Sequence, residues 1–301
     1  MTRSEFRSKL EPTSLPLTFA STAGMLVSYA PCFHTYSQLT HDKFMFKDCF
    51  IPQTTVVVGS FIQLALCAVL PLRWAVVPPL TVLFNSIVTT TIQLYSRKPN
   101  KYNKNVVPGR ATAQLPFSTG FFGSTPGASP VVVFHLGIQT NHPLGLAAPG
   151  MEQISKYFMA MHKDLNSKRD EYGMLSSSTW RGDERSSNNT LLLIYYFRDL
   201  ESLHRFAHDE LHRKAWDYVN KSKLKHVGIF HETFNVPARE YENVYVNCHP
   251  VLMGHVTVKT AEGGEEEERW INSLVSADTA LLKTQYARMS RDEHGTFKDT
   301  E

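Results

Sequence analysis

No stretch of these 301 residues forms a glycine-rich phosphate loop, a dinucleotide fingerprint or a serine-centred nucleophile elbow. Flavin, nicotinamide and acyl-enzyme chemistry therefore lack their usual sequence supports. Cysteine is scarce. Cys32, Cys49, Cys67 and Cys248 have no short paired spacing, so they suggest neither a disulfide framework nor a zinc site, in keeping with a reducing compartment. The net charge is only +3, and no stripe of Lys and Arg is interleaved with aromatics, which argues against nucleic acid as a partner. The first 49 residues lack the basic region, apolar core and small-residue cleavage pattern of a secretory signal.

Charge is missing altogether from two long windows. Phe50–Leu72 and Trp74–Ser96 contain no charged side chain, and Arg73 alone divides them. Each is about as long as the roughly 20 apolar residues a helix needs to cross a bilayer. Soluble helices usually carry a charge every turn or so, which favours a membrane hairpin over 50–97 rather than a buried hairpin of a soluble protein. The Pro78-Pro79 pair should break the second helix near its start and leave about 17 good residues, the lower limit for spanning. Full crossing and a dip from one side both stay open, because Arg73 can snorkel to either headgroup layer. Arg97, Lys98, Lys101, Lys104 and Arg110 follow the second run. By the positive-inside rule that flank and everything after it should be cytosolic, and an internal membrane, the endoplasmic reticulum, is the expected location.

Residues 1–49 are rich in Ser, Thr and Pro, with a weakly apolar patch from Leu15 to Tyr29, and read as a leader. Residues 98–130, punctuated by Pro108-Gly109, Pro116, Gly120, Gly123, Pro126-Gly127 and Pro130, read as a linker. A globular domain follows over 131–258. Val131–Gln139 alternates as a strand, with Val132, Phe134, Leu136 and Ile138 on one face and Val131, Val133, His135, Gly137 and Gln139 on the other. A helix over Met151–Arg169 carries Ile154, Phe158, Met161 and Leu165 at helical spacing. Met174–Trp180 and Thr190–Arg198 are strands, the second apolar on both faces and hence set between two layers. Leu200–Asn220 reads as one helix and His226–Phe234 as a fourth strand. The order β-α-β-β-α-β is that of the ferredoxin-like folds, in the α+β class. Beyond Pro250 a short strand, Gly254–Lys259, precedes a segment 259–301 with an acidic loop at Glu262–Glu268 and a helix around Trp270–Arg288.

Polar rings crowd these elements between Tyr195 and Pro250. On the helix from Leu200, His204, His208 and His212 follow at i, i+4 and i+8 along the border of the apolar face, where a histidine is usually structural. His212, one turn before Trp216, is the best functional candidate of the three. His208-Asp-Glu-Leu-His212 approaches the zinc-protease pattern His-Glu-x-x-His, but Glu210 stands one place late, about 100° around the helix, and no third ligand is identifiable. On the fourth strand the adjacent His231 and Glu232 point to opposite faces, and either can act as a general base if partly desolvated. His135, Asn141, Trp180, Tyr196 and Trp216 complete a candidate substrate-binding set. Aromatic walls are just as often plain core.

Three segments together resemble the fungal, membrane-anchored branch of the antibiotic-biosynthesis monooxygenase family. They are His135-Leu-Gly-Ile-Gln-Thr-Asn-His-Pro143, the helix from Leu203 to Trp216, and His226-Val-Gly-Ile-Phe-His-Glu-Thr-Phe234 with Glu242-Asn-Val-Tyr-Val-Asn247. The resemblance spans roughly 45–258, apolar hairpin included. It implies a dimeric α+β barrel in which two ferredoxin-like units pair their sheets, hence a homodimer, each unit keeping a cleft between sheet and helices. It also implies a monooxygenase that tailors a lipophilic secondary metabolite, polyketide or terpenoid, with O2 and without an added flavin, nicotinamide or metal. Triplet oxygen reacts with a closed-shell carbon only after the substrate is deprotonated to an electron-rich anion. His212, His231 or Glu232 would supply the base, and His135, Asn141 or Tyr196 would hold the developing anion. A substrate without an acidic C–H would instead require the histidine stripe to hold a metal or haem. The alternatives are a non-oxidative isomerase, cyclase or dehydratase of the same fold, or a non-catalytic scaffold for a pathway complex.

Overall fold

The computed structural model describes residues 6–17, 52–96, 100–145, 148–182, 190–260 and 269–298. Most of the leader and the acidic loop lie outside the described residues. The chain divides into two compact units, one over Thr35–Val106 and one made of Met1–His34 with Val107–Glu301.

The smaller unit contains helices α1 (Pro52–Val69), α2 (Leu72–Ala75) and α3 (Val77–Tyr95). Leu72–Tyr95 is long and apolar enough to cross a membrane. The chain turns at Leu70-Pro71, and Pro71 stands at the N-terminal boundary of α2. Pro78 and Pro79 do not break the second helix, contrary to the expectation from sequence. They occupy the first turn of α3, where backbone N–H groups have no intrahelical acceptor and proline costs little. Across the turn Gln63 Nε2 donates to the Ala75 carbonyl at 3.0 Å, and Ala75 is buried there.

The larger unit is built on a ferredoxin-like core. Strand β2 (Val131–Thr140), helix α4 (Met151–Ser167), strands β3 (Met174–Arg181) and β4 (Leu191–Phe197), helices α5 (Leu200–Ala207) and α6 (Glu210–Ser222), and strand β5 (Val227–Val236) follow in that order. The four strands form an antiparallel sheet ordered β3-β4-β2-β5, so each β-α-β connection leaves room for one intervening strand. Leu193, Tyr195, Tyr196 and Phe197 are all buried on β4, as expected of a strand covered on both sides. The single helix expected over Leu200–Asn220 is two. Asp209 ends α5 and caps α6, its carboxylate accepting from Leu211 N at 2.8 Å and from Tyr172 Oη at 3.0 Å.

The 98–130 segment is not simply a linker, and the C-terminal segment is not mainly helical. Strand β1 (Val107–Ala113) is the centre of a three-stranded antiparallel sheet, between β6 (Tyr245–Cys248) and β9 (Leu274–Ser276). Its register shifts between Val107 and Arg110, where Pro108 and Gly109 disguise the strand in sequence. Gly109 has φ +76°, so the bulge uses a conformation glycine tolerates. Strand β7 (Thr257–Thr260) pairs with β8 (Arg269–Asn272), and among the described residues of this segment only Gln285–Arg288 forms an α-helix, α7. Trp270, Leu274, Ala277 and Leu281 are spaced as on a helix in sequence, yet Trp270 and Leu274 lie on strands.

These added strands pack on the sheet face away from the helices. Val131 and Tyr196 share a core with Val107, Ala111, Val256 and Leu274. At the junction the buried Arg169 donates to the carbonyls of Leu17 and Leu175 and lies over Trp270. The Arg288 guanidinium, nearly buried, pairs with Glu242 and ties α7 to the segment before β6.

Burial alone would raise the Asp209 pKa, but the Leu211, Tyr172 and Glu210 hydrogen bonds outweigh it and hold the carboxyl below its ordinary range. Its contribution is therefore complete above the unfolded-state value and fades as pH falls through the lowered one. Asp209→Ala should cost about 1–2 kcal/mol in urea unfolding at neutral pH, and Asp209→Asn, which keeps a capping oxygen, clearly less. Equal losses would show that the cap does not set the helix break.

Candidate active site

Strand register sorts the polar residues between the two sheet faces. Phe134 stands opposite Tyr195 and Thr233, His135 opposite Ile194 and Glu232, and Leu136 opposite Leu193 and His231. Directly opposed residues share a face. His231 therefore lies with Phe134, Tyr195 and Phe197 on the helix side, and Glu232 with His135 on the other. The opposite-face arrangement of His231 and Glu232 follows with no bulge in the β2·β5 ladder.

On the helix side the aromatic rings form a continuous wall. Phe206 of α5 stacks on Phe197 at 6.3 Å between centroids and meets His212 of α6 at 5.4 Å. His231 lies 5.8 Å from Phe134, which lies 6.2 Å from Tyr195. Burial lowers the His212 pKa, and the neighbouring His231 lowers it further, against a hydrogen bond to the Ala207 backbone that raises it. A base ready to accept a proton near neutral pH is the result. His204 and His208 are exposed, and the break between α5 and α6 interrupts the expected stripe; His208 Nδ1 lies 2.8 Å from the His204 carbonyl. Among the described residues no group of three or more His, Cys, Asp or Glu is arranged to hold a metal ion.

Deeper on the same side is a pair that sequence reasoning did not assemble. His162 of α4 places Nδ1 3.3 Å from Tyr195 Oη, while Asn166 Nδ2 lies 3.1 Å from His162 Nε2 and 2.7 Å from the His162 carbonyl. The carbonyl can only accept, so the amide presents its NH2 there. The same NH2 faces Nε2, which leaves the lone pair on Nε2 and the proton on Nδ1, directed at the Tyr195 oxygen. Burial pushes the Tyr195 pKa well above the ordinary tyrosine value, so the residue is a neutral phenol whose own hydrogen is free to point elsewhere. The available signal was His162 one turn beyond Phe158 on the apolar face of its helix.

The remaining candidates are elsewhere. His135 Nδ1 lies 3.6 Å from Glu232 Oε2, and the His135 ring meets Phe234 edge-on at 5.4 Å. Trp180 and Tyr196 share that outer face; Trp180 is half exposed, while Tyr196 is buried and its pKa is raised by burial and then by nearby Tyr245. Asn141 follows β2 and donates its backbone N–H to the His226 carbonyl. Trp216 is half exposed on α6. The sheet thus brings His212 and His231 to one side and separates them from Glu232, His135, Trp180 and Tyr196.

Comparison with known proteins finds a family model, Monooxygenase af470-like, matching residues 131–253. Monooxygenase af470 of Aspergillus fumigatus is 48% identical over 251 residues, covering 83% of this chain and 91% of its own length. Among solved structures, an aldoxime dehydratase aligns over 48% of this chain and 40% of its own, with 18% identity and a TM-score of 0.37. SnoaB, a cofactor-independent oxygenase from Streptomyces nogalater, aligns over 36% of this chain and 94% of its own, with 14% identity and a TM-score of 0.26.

Because the folded-state pKa of His212 lies below its ordinary value of 6.5, the folded chain binds fewer protons than the unfolded chain between the two values. Stability should fall as pH drops through that window, and His212→Gln should flatten the loss. Imidazole NMR titration should place the His212 midpoint below 6.5. A midpoint above it would remove His212 as the neutral base.

Proposed function

The chain belongs to the monooxygenase af470-like family, an oxidoreductase family, and from that premise we propose a membrane-anchored monooxygenase tailoring a lipophilic secondary metabolite, a polyketide or terpenoid, without flavin or nicotinamide. The supporting observation is the helix-side cluster: His212 and His231 beside an aromatic wall, with the neutral Tyr195 phenol across Phe134. His212 or His231 takes a proton from an acidic C–H of the substrate. The resulting anion passes one electron to O2, and the radical pair combines to a hydroperoxide after protonation. Loss of water then leaves a carbonyl, one oxygen atom in the product and the other in water, with no external reductant. Tyr195, held by His162 and Asn166, donates to the developing oxyanion, with His212 half-buried and His231 exposed.

The apolar hairpin would hold this unit at an internal membrane, the endoplasmic reticulum, into which a lipophilic substrate partitions, with the globular unit in the cytosol. Outer-face residues Trp180, Phe230 and Phe234 remain 37–47% exposed beside the part of the sheet that the chain's own strands cover. That bare part supports a homodimer, as sheet pairing in an α+β barrel would use it.

With the metabolite that accumulates when the gene is removed as substrate, turnover under 18O2 should place one labelled atom in the product. Product without label would establish a non-oxidative reaction instead. Replacing the base by Ala should lower kcat about 100- to 10,000-fold. Light scattering of detergent-solubilised protein should give a dimer that Phe234→Lys dissociates; a wild-type monomer would rule out the barrel pairing.

A further inference from the structure

Among the described residues three polar side chains of the apolar hairpin, Gln63, Thr81 and Thr89, find partners within the hairpin itself. Thr81 Oγ1 donates to the Val77 carbonyl at 2.9 Å and Thr89 Oγ1 to the Asn85 carbonyl at 2.7 Å, each one turn back on α3. Gln63 Nε2 donates across the turn to the Ala75 carbonyl. Hydrocarbon supplies no water, so donors facing it must be satisfied inside the segment. The apolar side chains meanwhile point outward all around both helices. Val56, Phe61, Leu64 and Val69 on α1 and Val82, Phe84 and Leu94 on α3 are each at least 67% exposed, covering well over half the circumference of each helix. A soluble amphipathic hairpin would keep one polar face.

Length and charge bear on how deep such an element reaches. Helices α1 and α3 have 18 and 19 residues. At 1.5 Å per residue these are about 27 and 28 Å long, close to the ~30 Å of a hydrocarbon layer; among the described residues Leu72–Tyr95 is apolar over a full spanning length, and the apolar part of α1 is the shorter Val56–Val69. The single charge between them, Arg73, lies in the short helix α2 at the turn, next to Trp74, which is 59% exposed. A hairpin that stopped halfway would leave Arg73 in hydrocarbon, where a cation is costly. A hairpin that crosses delivers Arg73 and Trp74 to the far headgroup layer, where both residue types are favoured.

Resting on the membrane-anchored reading above, we propose that residues 52–95 cross the bilayer twice, with the Arg73-Trp74 tip in the headgroup layer opposite the one where both ends emerge. Five basic residues follow α3 (Arg97, Lys98, Lys101, Lys104 and Arg110) against one at the tip, which assigns the ends to the cytosolic side and the tip to the lumenal side. The partner is thus the whole bilayer thickness rather than one leaflet.

The test uses the full chain in sealed microsomes, with the four native cysteines changed to Ser and one cysteine returned as Leu72→Cys at the tip or His294→Cys on the exposed globular surface. A membrane-impermeant maleimide should label His294→Cys in intact vesicles. Labelling of Leu72→Cys should rise at least ten-fold once digitonin opens the membrane. Equal labelling of both positions in intact vesicles would overturn the double crossing, and so would a tip that labels only in SDS. Extraction by alkaline carbonate separates the two ideas. Release of the protein sinks the anchoring itself, whereas retention with a tip labelled from the outside sinks only the crossing.

Discussion

Strand β4 has no solvent face, and the globular unit is organised around that constraint. Leu193, Tyr195 and Phe197 must be covered by helices on one side, and Tyr196 by something else on the other. A lone ferredoxin-like unit leaves the second side bare. Here the chain supplies part of the cover itself, with Met253 and Val256 from the segment before β7 and Leu274 of β9 packed near Tyr196 and Val131. Burying such large side chains stabilises by roughly 1.5–3 kcal/mol each, so both covers are needed for the sheet to persist.

The same constraint divides the chemistry. Side chains alternate across a sheet, so neighbours in sequence become strangers in space. His231 joins His212 against Phe134 and Phe206, while Glu232 joins His135 on the partly bare side. On the helix side Tyr195 is held neutral by burial, whereas on the other side Glu232 beside His135 is 62% exposed.

The four core strands and the helix after the first were legible because their apolar periods are long and clean. Val131–Thr140 alternates, and Ile154, Phe158 and Leu165 recur at helical spacing and are buried. Strand β1 was hidden, since Pro108 and Gly109 sit in its bulge and its pairing partners are more than a hundred residues away. The break at Asp209 was hidden for a different reason. His-Asp-Glu continues a helical pattern in sequence, and only the cap to Leu211 and the tether to Tyr172 turn it into a boundary.

Sequence by itself determined the local choices: which segments are apolar at period two or 3.6, where charge is absent for the length of a bilayer, and that His231 and Glu232 must part. Those follow from backbone geometry and solvation, which act within a few residues. Tertiary structure decided which face each residue shared, that His162 and Asn166 would hold Tyr195, and that the supposed linker would become the centre of a second sheet. Such pairings join residues far apart along the chain, and no local preference encodes a partner that only folding brings near.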